Sequence, residues 1–372
     1  MGVFVYWLIV AAVIVLGLLM PQQGKKKKYY IIVMAVLHIF VCGFRYMYLT
    51  GDLRKYAWEY STMSDYGWFS NNVFHGGRNA GFYWLMKLVC DFTNGDFQIF
   101  LILLAVITQV IVAVLIYRYS PKPWLSYLVW NCMAFYVIYD FSAIKQGLVM
   151  SVLMCAMMCI FDKKPIKFLI FVLLAGFIHM PALVFLPAYF IANRKLNSYS
   201  FIGYFIFAVA VFLFKNQIVN FISGLYYENE SFTSSGGIGG RFLLIMMFLI
   251  GGILFKGFKE KNFVILFNII IIGAILQMFS SFDNVFTRFA DCYLQFLVLF
   301  IPMMFYKDEK STTLIPDAND AVLSLNEKNV QLIVLALTAF FIFYYNKTCI
   351  GVNIANINDD YTNFRFMWDV TS

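Results

Sequence analysis

Between an apolar run that ends at Phe44 and another that begins at Phe97 stands Phe44-Arg-Tyr-Met-Tyr-Leu-Thr-Gly-Asp52-Leu-Arg-Lys-Tyr56, followed by His75-Gly-Gly-Arg78-Asn-Ala-Gly-Phe82. Its charged side chains are interleaved with Tyr46, Tyr48, Tyr56, Trp58, Tyr60, Trp68, Tyr83 and Trp84. Aromatic rings of this kind gather at the membrane–water interface. Charges held among them are costly unless they are paired or have a ligand to meet. Residues 44–96 therefore read as the wall of an anion-holding pocket at one membrane face, with the remaining apolar runs arranged around it.

The chain has 372 residues, of which 62% are hydrophobic, 20% aromatic and 13% charged, and its mean hydropathy is +0.76. Soluble domains carry roughly 25% charged residues, so a soluble globular fold is excluded. The apolar runs are near the length of about 20 residues that a bilayer crossing needs, which predicts an all-α, polytopic integral membrane protein. The net charge of +8 does not point to nucleic acid, because most lysines lie in short connections, where they set orientation. Cys42, Cys132, Cys155, Cys159 and Cys292 fall inside apolar runs and read as small buried hydrophobes. Cys90 and Cys349 lie outside them, and no pairing follows from sequence.

The run at 3–20 lacks a positive leading region and is followed by four lysines at 25–28. A secretory signal has the opposite polarity, so the run is expected to be a retained first helix with its N-terminus outside. Further crossings are expected at 29–44, 97–117, 124–139 and 144–161, then 201–214, 242–255, 263–279, 286–305 and 330–345. Residues 168–191 would invert every later lysine cluster if they crossed once. Read as two half-helices meeting at His179-Met-Pro181, they return to the side they left, since proline removes a helical donor there. Such half-helices need protein or water over their ends. The count is about eleven transmembrane segments, including this one broken or re-entrant pair, in a single transmembrane domain spanning 1–372. Residues 45–96 form an outer loop with an interfacial helix at 81–89. Residues 215–240 form a flexible outer loop whose Ser234-Ser-Gly-Gly-Ile-Gly-Gly240 reads as a lid, because no strand precedes it to make a phosphate cradle.

On this topology Arg45, Arg54, Arg78, Lys145, Lys215, Arg241 and Arg288 all fall on the outside, with His179 at the break. Any one of them reads equally well as a cation snorkelling to the interface. Their common side favours a polyanion, since guanidinium forks match phosphate oxygens and several together can hold a pyrophosphate. Arg288, Asp291 and Gln295 share a helix face by their i, i+3, i+7 spacing, and Arg45, Asp52 and Tyr56 share one if that segment is helical. Asp140 and Asp291 read as counter-ions to Lys145 and Arg288, Tyr293 as a wall residue, Arg241 as a supporting cation and His179 as a candidate general base. Three histidines without ligand spacing predict no metal and no cofactor.

The order of Phe44-Arg45 with Asp52 and Tyr56, then Ala80-Gly81-Phe82, Ile144-Lys145-Gln146-Gly147-Leu148, His179-Met-Pro-Ala182-Leu183 and Arg288-Phe-Ala-Asp-Cys-Tyr293 resembles the EpsG-like branch of the Wzy-type polysaccharide polymerases. Lys145 departs from the usual arginine and keeps the charge without the fork. Pro181 stands where serine is common. The resemblance implies a GT-C-like membrane glycosyltransferase of the bacterial inner membrane, acting without metal on undecaprenyl-pyrophosphate-linked oligosaccharide repeat units at the extracytoplasmic face. It further implies Arg45, Arg78, Lys145 and Arg288 as the cations that neutralise the departing lipid pyrophosphate, and His179 as the base toward the incoming sugar hydroxyl. Membrane lipid, a flippase and a chain-length regulator of the same pathway are the partners expected. Two other functions compete. A flippase for lipid-linked sugar would show repeats with broken helices in each half. A membrane acyltransferase would need a histidine deep in a span, for which His38 is the candidate.

Overall fold

The computed structural model describes residues 4–74, 77, 79–226, 240–282, 286–307, 323, 325–347 and 364–369, with the backbone alone at 198 and 222–226. Among these residues the regular structure is helical, and the one extended pairing is an isolated antiparallel bridge between Arg45 and Phe366. The chain divides into two compact units, Met1–Leu183 with Asn326–Ser372, and Val184–Leu325. Five helices of the described residues have the length and apolarity of a crossing, or six if one bent pair counts as a single span.

In the first unit α1 (Phe4–Leu19) and α2 (Lys27–Gly43) precede the outer segment's helices α3 (Gly51–Ser61), α4 (Asn71–Phe74) and α5 (Ala80–Thr93). Residues 81–89, where an interfacial helix was expected, are helical within α5. Thr50 caps α3 by accepting from the Leu53 amide, and Asp96 caps α6 (Phe97–Tyr119) by accepting from the Gln98 and Ile99 amides, as short oxygen side chains do for orphan N–H groups. Arg45 precedes α3 rather than joining it, so it shares no helix face with Asp52 and Tyr56, which stay one turn apart on α3.

The expected crossing at 124–139 is interrupted. Helix α7 (Pro123–Cys132) stops, Ala134 takes a left-handed φ of 67°, and a π-helical turn (Phe135–Asp140) leads to α8 (Ile144–Phe161). Polar side chains occupy the break: Tyr136 donates to the His38 carbonyl at 2.7 Å and Asn131 donates to the Tyr127 carbonyl at 2.7 Å. Gly147 lets α8 approach this turn, since a Cβ there would lie 2.8 Å from the Tyr139 carbonyl oxygen and 2.9 Å from Asp140 Oδ1. Helix α9 (Pro165–Ile178) ends where expected, at His179, whose backbone is extended. Leu183 packs back on Gly176, although seven residues of continuous helix would part them by roughly 10 Å.

The basic connections of this unit meet. Lys27 donates to the Ser120 carbonyl at 2.9 Å, while Arg118, Tyr119 and Lys164 converge on Asp162 at 2.9–3.1 Å. The starts of α2 and α9 and the ends of α6 and α8 therefore share one end, and the segments around Arg45, Lys145 and His179 lie at the other. Helix α16 (Glu327–Tyr345) packs on α7. Residues 364–369 bond to the end of α2 through Tyr46 N to Arg365 O and Met367 N to Phe44 O.

The second unit holds α10 (Ala188–Ala192), α11 (Ser198–Tyr226), α12 (Gly240–Phe255), α13 (Lys261–Leu276), α14 (Thr287–Leu294) and α15 (Leu297–Phe305). Asn268 of α13 anchors the chain before α11, donating to the Arg194 carbonyl at 2.9 Å and accepting from Tyr204 at 2.8 Å. Helix α11 continues past the expected end of its span, so residues 215–226 are helix and not loop. Val219 is buried and Lys215 lies over the Phe212 and Phe282 rings, which gives this extension a packed face. The rest of the expected flexible loop, with its glycine run, falls outside the described residues. The expected crossing at 286–305 is bent by 42° between α14 and α15.

Replacing Gly147 with alanine should force the π-helical turn away from α8. Overpacking of this kind costs about 1–3 kcal/mol, so the purified variant should melt several degrees below the parent chain. An unchanged melting temperature would contradict the close approach.

Candidate active site

The features predicted to bind an anion divide between the two units. In the first, α5 is seated on α9 at Gly81, where a Cβ would lie 2.5 Å from the Phe177 ring. This contact brings Asn79, left-handed at φ 55°, against the end of α9. Asn79 Oδ1 accepts from the Met180 amide at 3.2 Å and pairs with His179 Nδ1 at 3.0 Å. Because a backbone amide can only donate, that atom is the acceptor, and Nδ1 of the nearly buried histidine must carry its proton. The lone pair of neutral His179 is then on Nε2, the arrangement a general base requires.

Lys145 opens α8 at the same end, half-buried among the rings of Tyr83, Phe82 and Tyr56 at 5.5, 5.8 and 6.0 Å from its ammonium. Aromatic faces attract a cation at this range. Asp140, expected as its counter-ion, turns inward instead. The π-helical turn carries its carboxylate to Gln109, which donates to Oδ2 at 2.5 Å, and into the field of Arg45.

The carboxylate acting on Lys145 is Glu59 of α3, which accepts from the Tyr83 hydroxyl. Burial raises the pKa of Glu59 above its usual 4.5, with Lys55, Lys145 and the Tyr83 bond pulling the other way. One of its oxygens is buried without a hydrogen-bond partner. Sequence reasoning passed over Glu59 as one more charge in a run. The available signal was its spacing, three residues beyond Tyr56 and seven beyond Asp52 on one helical face.

Arg45 is also placed differently from the expectation of a ligand-facing cation. It is 1% exposed, donates from Nε to the Phe141 carbonyl at 3.2 Å and from Nη1 to the Cys42 carbonyl, and lies over the Phe141 ring. Its reach is absorbed by carbonyls that the helix ends leave open, while Nη2 is buried without a partner. Asp52 is exposed in the first turn of α3. Arg78 lies outside the described residues. His38, the histidine deep in a span, is fully buried with both nitrogens engaged, Nδ1 on the Met34 carbonyl at 2.7 Å and Nε2 on Asn131 at 3.0 Å.

In the second unit Asp291 is buried and holds Arg241 through paired bonds of 2.5 and 3.3 Å. This fork comes from α12, and Arg288 lies one turn before Asp291 on α14. Tyr293, expected as a wall residue, is buried, donating to the Val184 carbonyl at 2.7 Å and packing on Phe185.

The sequence profile of the EpsG family matches residues 27–346, and the chain belongs to that family. No curated protein and no solved structure matches it.

Arg241→Ala should leave a buried carboxylate uncompensated, which costs about 3 kcal/mol in such pairs. Adding Asp291→Asn should recover part of the lost thermal stability, and independence of the two changes would refute the pair. The raised pKa of Glu59 favours the folded state while the group is protonated. Its contribution is complete below about pH 4.5 and is lost as pH rises through the higher folded value. Melting temperatures followed upward from acid should show this loss in the parent chain and not in Glu59→Gln.

Proposed function

We propose that this EpsG-family chain polymerises lipid-linked oligosaccharide repeat units at the extracytoplasmic face of a bacterial inner membrane, with an undecaprenyl pyrophosphate as leaving group and no metal. Family membership supports a membrane polysaccharide-polymerase role. The observation that carries the finer reading is the placement, at one end of the first unit, of His179 with its proton on Nδ1 and of Lys145 inside its aromatic box.

In the proposed reaction a sugar hydroxyl of the acceptor attacks the anomeric carbon of the donor. The new glycosidic bond forms as the anomeric carbon–oxygen bond to pyrophosphate breaks, and the hydroxyl proton passes to His179 Nε2. The pyrophosphate leaves as an anion, so fixed cations lower the barrier where its charge develops. Lys145 fills that role in the first unit, with Arg78 of the same unit as a further candidate, and Arg288 is the candidate cation of the second unit. Arg241 and Asp291 brace α14, which carries Arg288, and Tyr293 packs beside it. Asp140 and Arg45 act by positioning the turn before Lys145, while Tyr56 and Asp52 flank the box on α3. The exposed aromatics of the outer segment are suited to stack on sugar rings.

The full chain, purified and supplied with lipid-linked repeat units alone, should build a ladder of products. Loss of a general base costs about 10²–10⁴ in rate, so His179→Ala should abolish the ladder within ordinary reaction times. Lys145→Ala should abolish it as well and Lys145→Arg should retain part of it. Translocation of the lipid-linked unit without any new glycosidic bond would refute the polymerase reading.

A further inference from the structure

The lysine run at 25–28, whose charge sets orientation and can also meet anionic lipid, borders a built groove through Lys26. Where α1 ends and α7 begins, a cavity of about 460 Å³ is lined by Leu18, Gln22, Gln23, Lys26, Lys122 and Trp124 among others, none of them acidic. Its floor is ordered. Gln22 is buried, donates to the Met20 carbonyl at 3.1 Å and accepts from the Trp124 amide at 3.1 Å. Gly17 lets Trp124 press directly on α1, so the helices close above the groove and part at its mouth. Lys26 and Lys122 thus line a pocket together with the amides of Gln22 and Gln23 and the apolar Leu18, Met20 and Pro21. Leu18 is 75% exposed and continues down the outer face of α1.

We infer that this groove binds the phosphate headgroup of an anionic phospholipid, with Lys26 and Lys122 on the phosphate and an acyl chain lying along Leu18. Three observations favour a lipid over a free anion. Cationic and apolar walls adjoin in the order headgroup and chain require. The groove lies at the lysine-rich end of the unit, where basic pockets between spans take anionic headgroups. A tryptophan stands at the boundary, as at membrane interfaces. This site is independent of the polymerase reading and sits at the opposite end of the first unit from Lys145 and His179.

The test uses the purified full chain in detergent, titrated with short-chain phosphatidylglycerol, short-chain phosphatidylcholine and inorganic phosphate, with binding read by calorimetry. Phosphatidylglycerol should bind best and weaken as salt rises. Each of Lys26→Gln and Lys122→Gln should lower its affinity about fivefold, while Lys28→Gln, outside the groove, should leave it unchanged. Lys122→Arg keeps the charge and should retain binding, which separates loss of the cation from loss of the fold. Equal affinity for phosphatidylcholine, an equal loss in Lys28→Gln, or inorganic phosphate binding as tightly as the lipid would each overturn the assignment.

Discussion

A helix that stops at membrane depth exposes amides and carbonyls that no water can reach, and protein groups must satisfy them. The first unit has two such stops, at Ala134 and at His179, and its polar side chains are distributed accordingly. Near the first, Tyr136 donates to the His38 carbonyl of α2 and Asn131 to the Tyr127 carbonyl of α7, while Arg45 ties the carbonyl at the end of α2 to that of Phe141 beyond the π-helical turn. Asn79 serves the second, taking the Met180 amide and the His179 imidazole on one oxygen. The group that meets the open backbone at the second stop is therefore also the one that holds the His179 ring.

This economy explains which parts of the molecule were legible in the sequence. Apolar runs separated by lysine clusters marked most of the helices, because span length and charge placement are properties of local sequence. The break at His179 was legible because a proline follows it. The break at Ala134 was not, since nothing in the run 124–139 forbids a helix. It depends on a histidine in α2, nearly a hundred residues away, and a tyrosine hydroxyl that meets its carbonyl. The partners that come from other helices were not legible for the same reason. Proximity in sequence suggested Asp140 for Lys145 and Asp291 for Arg288, and it could not suggest Glu59, which acts on Lys145 from α3, or Arg241, which pairs with Asp291 from α12.

The short motifs acquire physical meaning once the helices are packed. Gly81 in Ala-Gly-Phe allows α5 to lie on α9, and the adjacent Phe82 and Tyr83 become walls of the Lys145 box. Gly147, two residues after Lys145, admits the π-helical turn that carries Asp140 inward. Arg45, which the sequence nominated as a phosphate ligand, is instead consumed by carbonyls. A guanidinium with five donors is well suited to closing several open backbone acceptors at once, so positive charge in an outer segment does not by itself identify a ligand contact.

The two principal cation sites differ in what they can offer an anion. Arg241 presents its fork to the carboxylate of Asp291, and a phosphate would have to displace that carboxylate and leave it buried. Lys145 is surrounded by ring faces, which attract an ammonium without neutralising it. A glycosyl transfer that expels pyrophosphate needs positive potential that is present before the bond breaks, at a cation that need not surrender a bidentate carboxylate. By that criterion the aromatic box at Lys145, rather than the tighter salt bridge on α14, is where the proposed reaction gains its electrostatic advantage, and the Nε2 lone pair of His179 at the same end of the unit is suited to take the proton.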